Sequence, residues 1–230
     1  MNAVDLGLDY FQIYELERPV DVSRAGELVA LQGQFDEEAE KARPVCMIRF
    51  ADRVRKNNEE LYDKNAHLTW YRLGWRTDPR VIRHVTIANQ FTKEQELEIH
   101  QVIGLLVPAR MRTGHRRAFS KETRLDHYKV YEAFGPQVDA PPIELEDQFH
   151  RRQTRVYYPV AFAVPVWKEH KERFDILNEK AHLTIYRVDT SRDLPIVIDT
   201  LDQFFPLRGL KLGVSRLLAV PSKKLDWKEG

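Results

Sequence analysis

The sequence predicts an all-β protein built from four copies of one unit of about 57 residues. Three landmarks recur at that spacing. The first is a seven-residue segment, at residues 9–15, 66–72, 126–132 and 181–187. The second is a Gln-Phe pair, at residues 34–35, 90–91, 148–149 and 203–204. The third is a Val-Pro pair, at residues 107–108, 164–165 and 220–221; the first unit has Asp52-Arg53 at the matching place. Because the landmarks stay in register, chance is a poor explanation for them.

The first segment of each unit has the alternation of a β-strand. Every second residue is apolar, while the other positions carry His or Tyr first and Tyr last. A period of two with one apolar face is typical of a strand that covers a core. The apolar set is Phe11, Ile13, Leu68, Trp70, Tyr128, Val130, Leu183 and Ile185.

The second and third segments also predict strands. The second alternates in the same way and reaches Gly33, Asn89, Asp147 or Asp202 just before the glutamine. These residue types tolerate positive φ, which favours a turn or bulge there. The third segment, for example residues 209–221, is long enough for two short strands or one bent strand. Only residues 36–41 and 166–177 would accommodate a helical turn or two.

The differences between copies predict a duplication of pairs. Units 1 and 3, which begin at residues 9 and 126, place Glu at the end of the first segment, whereas units 2 and 4, which begin at residues 66 and 181, place Arg there. If the first strands of a pair adjoin, Glu15 would face Arg72 and Glu132 would face Arg187.

The basic stretch 110–124 reads as a linker between the two pairs. We therefore expect two similar domains, 1–114 and 120–230, each a small β-barrel or sandwich. The alternative is a single four-bladed β-propeller, in which the first strands would line one central channel.

Composition limits the classes of partner. Thirty-six basic and thirty-five acidic residues give a net charge of +1, which argues against a dedicated nucleic-acid binder. The single cysteine, Cys46, excludes an internal disulfide and a zinc site made of thiolates. No apolar run approaches the ~18 residues of a membrane span, and residues 1–8 lack the features of a signal peptide. We expect a soluble chain with no membrane contact, and its compartment is left open.

At these landmarks the chain resembles an uncharacterised bacterial and archaeal repeat domain of unknown function, found in tandem and often in secreted multidomain proteins. The segments that match are residues 125–131, 147–149, 181–186 and 217–222. That family has cysteines where this chain has Val130, Ala163, Ile185 and Ala219. The resemblance implies that Val130 touches Ala163 and that Ile185 touches Ala219, as apolar substitutes for bonded pairs. It implies no activity and no catalytic residue.

The repeated histidines are the most visible candidate site. If the four first strands surrounded one axis, His67, His127 and His182 could converge with Tyr10 in the fourth place, and three imidazoles suit zinc or copper. We favour a structural role, since a residue present in every copy serves what every copy needs. The spacings His-x-His and His-Glu-x-x-His do not occur. We therefore predict no metal and no cofactor.

Other candidates lie where the copies differ. Trp75, Trp167 and Trp227 are candidate platforms for sugar rings, with core or edge packing as the alternative. The basic runs 110–124 and 150–155 could bind an acidic polymer or phosphate, although such runs are more often solvated loops. The glutamines of the Gln-Phe pairs are expected to satisfy the backbone at the adjoining bend.

Two functions stay open at this point. The first is a non-catalytic binding or scaffold module for a carbohydrate or protein partner, because the chain has no Gly-x-Ser-x-Gly, Walker A or Gly-x-Gly-x-x-Gly motif. The alternative is a hydrolase or metal-dependent enzyme that uses the face lined by His and Tyr.

Overall fold

The computed structural model describes residues 6–24, 27–74, 82–113, 118–191 and 196–230. The prediction of an all-β protein is confirmed. No helix in these ranges is long and apolar enough to cross a membrane. The strands are β1 (Tyr10–Asp21), β2 (Val29–Gly33), β3 (Glu40–Lys56), β4 (His67–Gly74), β5 (Arg83–Asn89), β6 (Thr92–Thr113), β7 (His127–Phe134), β8 (Ile143–Glu146), β9 (Arg151–Thr154), β10 (Val156–His170), β11 (Glu172–Phe174), β12 (His182–Ser191), β13 (Ile196–Asp202) and β14 (Pro206–Glu229).

Eight of these strands close into a ring. Each unit contributes its first strand and its third strand, and the ring follows chain order: β1, β3, β4, β6, β7, β10, β12 and β14. β14 pairs with β1 and completes the closure, and every neighbouring pair is antiparallel. Among the described residues, each ring strand therefore has a paired neighbour on both sides.

The interior of the ring is filled with side chains. All eight apolar residues of the first strands belong to one buried cluster, as the alternation predicts. The third strands supply small residues to the same cluster, among them Ala51, Ala161, Ala163 and Ala219. Large side chains on one strand facing small ones on the next fill a narrow interior without overlap. A Cβ on Gly104 would lie 2.2 Å from Nε1 of Trp70, so a larger residue has no room there.

The second strands cover the outside of the ring. Each links its own unit to the opposite unit, where units 1 and 3 are opposite and so are units 2 and 4. β2 pairs with β3 and β10, β5 with β6 and β14, and β13 with β14 and β6, while β8 pairs with β9 and β3. Three further buried clusters form between these strands and the outer face of the ring.

Strand pairing joins the two predicted domains. β6 of unit 2 pairs with β7 of unit 3, and β14 of unit 4 pairs with β1 of unit 1. The described strands therefore form one ring of four units rather than two smaller closed sheets divided between residues 114 and 120. Residues 114–117 of that boundary lie outside the described ranges. The propeller alternative placed the four units around one centre, but here a continuous sheet runs through them and their apolar side chains fill that centre.

The expected contact between first strands is wrong for the described pairs, because a third strand lies between them. Glu15 stands opposite Arg49 on β3, and it binds Arg216 of β14 at 3.1 Å. Arg72 stands opposite Cys46. The sequence analysis placed the first strands of two units side by side. In the structure, the first strand of each unit pairs with the third strand of the same unit.

The connections between units explain why odd and even copies differ. In units 1 and 3 an aspartate precedes the first strand, and in units 2 and 4 an alanine stands there. The Asp9 carboxylate accepts hydrogen bonds from the backbone N–H groups of residues 62 and 63, just before unit 2. Asp126 does the same for residues 177 and 178, before unit 4. Each aspartate thus anchors the loop that leads into the following unit.

Both contacts implied by the family resemblance are present. Val130 stands directly opposite Ala163 on the β7–β10 pair, and Ile185 stands opposite Ala219 on the β12–β14 pair. All four side chains are buried in the ring interior. The two residues of each apolar pair thus lie directly opposite each other on neighbouring antiparallel strands.

Cysteines introduced at one of these pairs should bond. In a Cys46→Ser background, we expect Val130→Cys/Ala163→Cys to oxidise to a disulfide and to gain about 3–4 kcal/mol in unfolding free energy, from the loop that it closes. Mass spectrometry and urea titrations with and without reductant measure this. The matched control is Val130→Cys/Ala161→Cys, because Ala161 stands opposite Glu132 and lies diagonal to residue 130. Equal bonding in both variants would contradict the register.

Candidate functional site

The repeated tyrosines pack against the Gln-Phe segment of the opposite unit. In all four cases the Phe ring meets the Tyr ring edge to face, with centroids 5.4–5.9 Å apart and ring planes at 80–88°. This geometry is the favoured one for aromatic pairs. The pairs are Tyr14–Phe149, Tyr71–Phe204, Tyr131–Phe35 and Tyr186–Phe91.

The residue before the glutamine completes this contact with hydrogen bonds. The Tyr71 hydroxyl and the Thr69 hydroxyl both donate to Oδ2 of Asp202, each at 2.7 Å. Oδ1 of Asp202 accepts the backbone N–H of Phe204 at 2.8 Å, which closes the predicted turn. Tyr14 donates to Asp147, and Asn89 donates to the Tyr186 hydroxyl at 2.8 Å. These acids and amides therefore hold opposite units together.

Burial shifts the pKa of this group of residues. Desolvation raises the pKa of the Asp202 carboxyl above its usual value, although four hydrogen bonds oppose the shift. Desolvation also raises the pKa of the Tyr71 hydroxyl well above its ordinary value, and the adjacent Asp202 adds to the effect. Both shifts have burial as their largest cause.

The glutamines contact the residue that opens the first strand of the preceding unit. The Tyr10 hydroxyl donates to Oε1 of Gln90 at 2.8 Å. Gln34 lies against Nε2 of His182, and Gln203 lies against Nε2 of His127. These contacts differ from the expectation that the glutamine satisfies the backbone at its own bend, because the amide reaches into the neighbouring unit.

Each of the three repeated histidines packs against a phenylalanine ring, and His67 stacks on Phe50 with centroids 5.7 Å apart. His182 stacks on Phe162 with centroids 5.3 Å apart, and His127 lies 5.2 Å from Phe174. Burial lowers the pKa of His182 to about 4 and that of His127 well below its usual value, so both imidazoles are neutral. The outward positions of these side chains follow from the strand alternation and keep them away from the filled centre. Within the described ranges, no cluster of three or more His, Cys, Asp or Glu residues could hold a metal ion.

The fourth junction differs, and it opens into a cavity. Unit 1 has Asp52-Arg53 where the other units have Val-Pro, and here Gln148 meets Asp52 instead of the histidine itself. The cavity has a volume of about 420 Å³. We call it the junction pocket; its lining includes Arg53, Lys64, His67, Arg112, Ser120 and Gln148.

Asp52 organises the floor of the junction pocket. Its Oδ1 lies 2.8 Å from Nδ1 of His67 and 2.7 Å from Nη1 of Arg53, and its Oδ2 accepts a hydrogen bond from Gln148 at 2.8 Å. Desolvation favours the neutral acid, but His67, Arg53 and Gln148 outweigh it, so the pKa of Asp52 is lowered. A charged carboxylate thus lies beside Nδ1 of the imidazole.

A second opening contains Trp167. It has a volume of about 250 Å³ and lies between β2, β10 and the segment before β12. Nε1 of Trp167 donates to Oε1 of Gln32 at 3.0 Å, and the Arg173 guanidinium lies 4.9 Å from the centre of the indole ring. Gln34 and Glu179 complete its polar lining. We call this opening the Trp167 cleft.

All but one of the His, Tyr and Trp residues predicted as ligand contacts are described, and they do not form one site. His67 lines the junction pocket and Trp167 lines its own cleft, which Gln34 connects to His182. Tyr10 and His127 are buried in junctions between units. Trp75 lies outside the described residues.

Sequence reasoning missed two buried lysines on the ring. The side chains of Lys129 and Lys168 are both fully buried. Nζ of Lys129 binds Asp36 at 2.6 Å and Glu40 at 2.7 Å. Nζ of Lys168 has no hydrogen-bond partner among the described residues and lies 4.8 Å and 5.1 Å from the ring centres of Phe174 and Phe204. Desolvation lowers the pKa of Lys168 to about 7.

Comparison with known proteins identifies a family by sequence. A family model described as a repeat of unknown function, DUF7450, matches residues 67–221, which is more than half of the chain. No curated protein and no solved structure matches the chain.

The two lysines should respond oppositely to the same substitution. Lys129→Met leaves two carboxylates without their cation, and we expect it to lower the unfolding free energy by about 3–5 kcal/mol. Lys168→Met removes an unpaired buried amine, so we expect it to be neutral or stabilising by up to about 3 kcal/mol at pH 7. Urea unfolding measures both, and a larger loss for Lys168→Met would contradict the assignment.

The pH dependence gives an internal check on the same lysine. The folded pKa of Lys168 is about 7 and its unfolded value is near 10.5, so the unfolded chain holds the extra proton between those limits. Stability contributed by this group therefore rises with pH from about 7 to about 10. We expect Lys168→Met to remove that rise.

Proposed function

We propose that this chain, which belongs to the DUF7450 family of repeats, is a non-catalytic binding module whose ligand is a carbohydrate. The observation that carries the proposal is the Trp167 cleft, in which an indole ring stands beside two amides and a carboxylate. Sugars present apolar C–H faces that stack on aromatic rings and hydroxyls that bond to amide and carboxylate oxygens.

The setting of Trp167 favours a small ligand over a protein surface. The cleft encloses about 250 Å³, close to the lower end of sizes typical for small-ligand sites. The bond from Nε1 to Gln32 fixes the indole before any ligand arrives. Arg173 covers one face of the ring, but 59% of its side chain is exposed, so a sugar can displace it.

The repeated residues give indirect support for a binding role. Most of the His, Tyr, Gln and Asp side chains that could take part in catalysis are engaged in contacts between units. A residue that holds two units together is poorly placed to move a proton to a substrate.

Binding to oligosaccharides tests this proposal. We expect the purified chain to bind on an array of neutral and acidic glycans, and Trp167→Ala to weaken calorimetric binding of the selected glycan at least tenfold, the equivalent of about 1.4 kcal/mol. Arg173→Ala should strengthen binding because it uncovers the ring. The control is Tyr158→Ala, an exposed aromatic residue on the same strand. The proposal fails if no glycan binds, or if Trp167→Ala and Tyr158→Ala behave alike.

One observation favours a second candidate, a hydrolase that uses the face lined by His and Tyr. Asp52 lies 2.8 Å from Nδ1 of His67 at the floor of the junction pocket, a pairing also found where a carboxylate supports a general base. Ser120 lines the same pocket, although no hydrogen bond joins it to His67 within the described part of the chain.

Chromogenic esters, glycosides and phosphodiesters test the second candidate. If it holds, hydrolysis by the wild-type chain should fall at least 100-fold in His67→Gln. His182→Gln is the matched control, since it alters a histidine at another junction. Absence of turnover, or equal losses in the two variants, would reject the enzyme.

A further inference from the structure

We propose that the junction pocket binds a phosphate or sulfate group. This inference is independent of a sugar in the Trp167 cleft. It concerns the charge, the fixed geometry and the unused hydrogen-bond donors of the pocket.

The charge of the lining has one sign. Arg53, Lys64 and Arg112 line the pocket from three segments of the chain, and none of the described lining residues carries a carboxylate. The whole protein has a net charge of only +1, so this is a local concentration of cations. A concave site lined by charges of one sign attracts and holds counter-ions.

Carboxylates behind the pocket fix the two guanidinium groups. Nη1 of Arg53 lies 2.7 Å from Asp52, and Nε and Nη2 of Arg112 each lie 2.8 Å from Oδ2 of Asp199. The ring of Phe119 packs on Arg112, with 4.7 Å from Cζ to the ring centre. Each arginine is therefore oriented before a ligand binds, which lowers the entropic cost of binding.

Donors in this pocket are incompletely used. Nε of Arg53 is buried and has no hydrogen-bond partner among the described residues, and only 15% of the side chain is exposed. Lys64 is exposed on the turn before β4 and forms no ion pair within the described part of the chain. The Ser120 oxygen accepts the backbone N–H of Met111 at 3.0 Å, which leaves its hydrogen for another acceptor.

This set of donors matches a tetrahedral oxyanion. Two guanidinium groups and one ammonium group line the pocket from three segments of the chain, and a phosphate or sulfate presents three or four oxygens to them. A carboxylate offers only two oxygens in one plane. The volume of about 420 Å³ also leaves space for an organic group that carries the anion.

Calorimetry with inorganic phosphate and inorganic sulfate tests the proposal, with sodium chloride adjusted to constant ionic strength. We expect millimolar dissociation constants for both anions and at least threefold weaker binding of acetate. Lys64→Gln should weaken phosphate binding about threefold. Arg53→Lys should weaken it about tenfold, because the substitution removes the planar guanidinium group. Lys223→Gln, an exposed lysine on β14, is the matched control.

Several outcomes would overturn the assignment. The first is that neither anion binds at 20 mM, a concentration about tenfold above a millimolar dissociation constant. The others are equal binding of acetate, and equal loss of phosphate binding in Lys64→Gln and Lys223→Gln. Thermal melts without anion show whether each variant is folded, so that Lys64→Gln remains informative if Arg53→Lys unfolds. Binding of phosphate without sulfate would assign the site to phosphate, and the reverse result would assign it to sulfate.

Discussion

Burial of the ring strands on both faces is the constraint on which the rest of this structure depends. The inner faces fill the ring with one apolar cluster. The outer faces are covered by second strands, each of which pairs with its own unit and with the opposite unit. The third strands make this possible because they are long: β6 has 22 residues and β14 has 24. One part of such a strand pairs with its neighbours in the ring, and the remainder pairs with one of the second strands outside the ring. Each unit therefore buries its faces against other units.

Covering the outer face places polar side chains in a desolvated layer. The His and Tyr positions of the first strands point into that layer, where an unpaired polar group is costly. The Gln-Phe segments supply the partners, through the bond from Tyr71 to Asp202 and the contacts of Gln34 and Gln203 with histidines. Where Gly33 replaces the acid in unit 1, Lys129 reaches Asp36 and Glu40 instead. The repeated residues are thus the ones that each junction between units needs.

Both openings described above lie where this repetition is broken. Asp52 and Arg53 replace the apolar Val-Pro pair in one unit only, and the change places a charged carboxylate between Gln148 and His67. A pocket lined by cations opens at that junction. Trp167 likewise has no counterpart in the other three units, and it lines the other opening. Divergence of one copy can add a site without disturbing the contacts that the remaining copies share.

The sequence by itself determined the repeat, the strands and the inward face of each first strand, because a period of two and three landmarks in register are local properties. It also indicated, through the resemblance, that Val130 would meet Ala163 and that Ile185 would meet Ala219. Only the tertiary structure decided which units pair. Backbone hydrogen bonds between strands form whichever side chains are present. The alternation of apolar and polar residues therefore fits two small closed sheets as well as one ring. For the same reason Glu15 was expected beside Arg72, whereas β3 lies between their strands. The junction pocket joins residues from three units, and its presence depends on that closure of the ring.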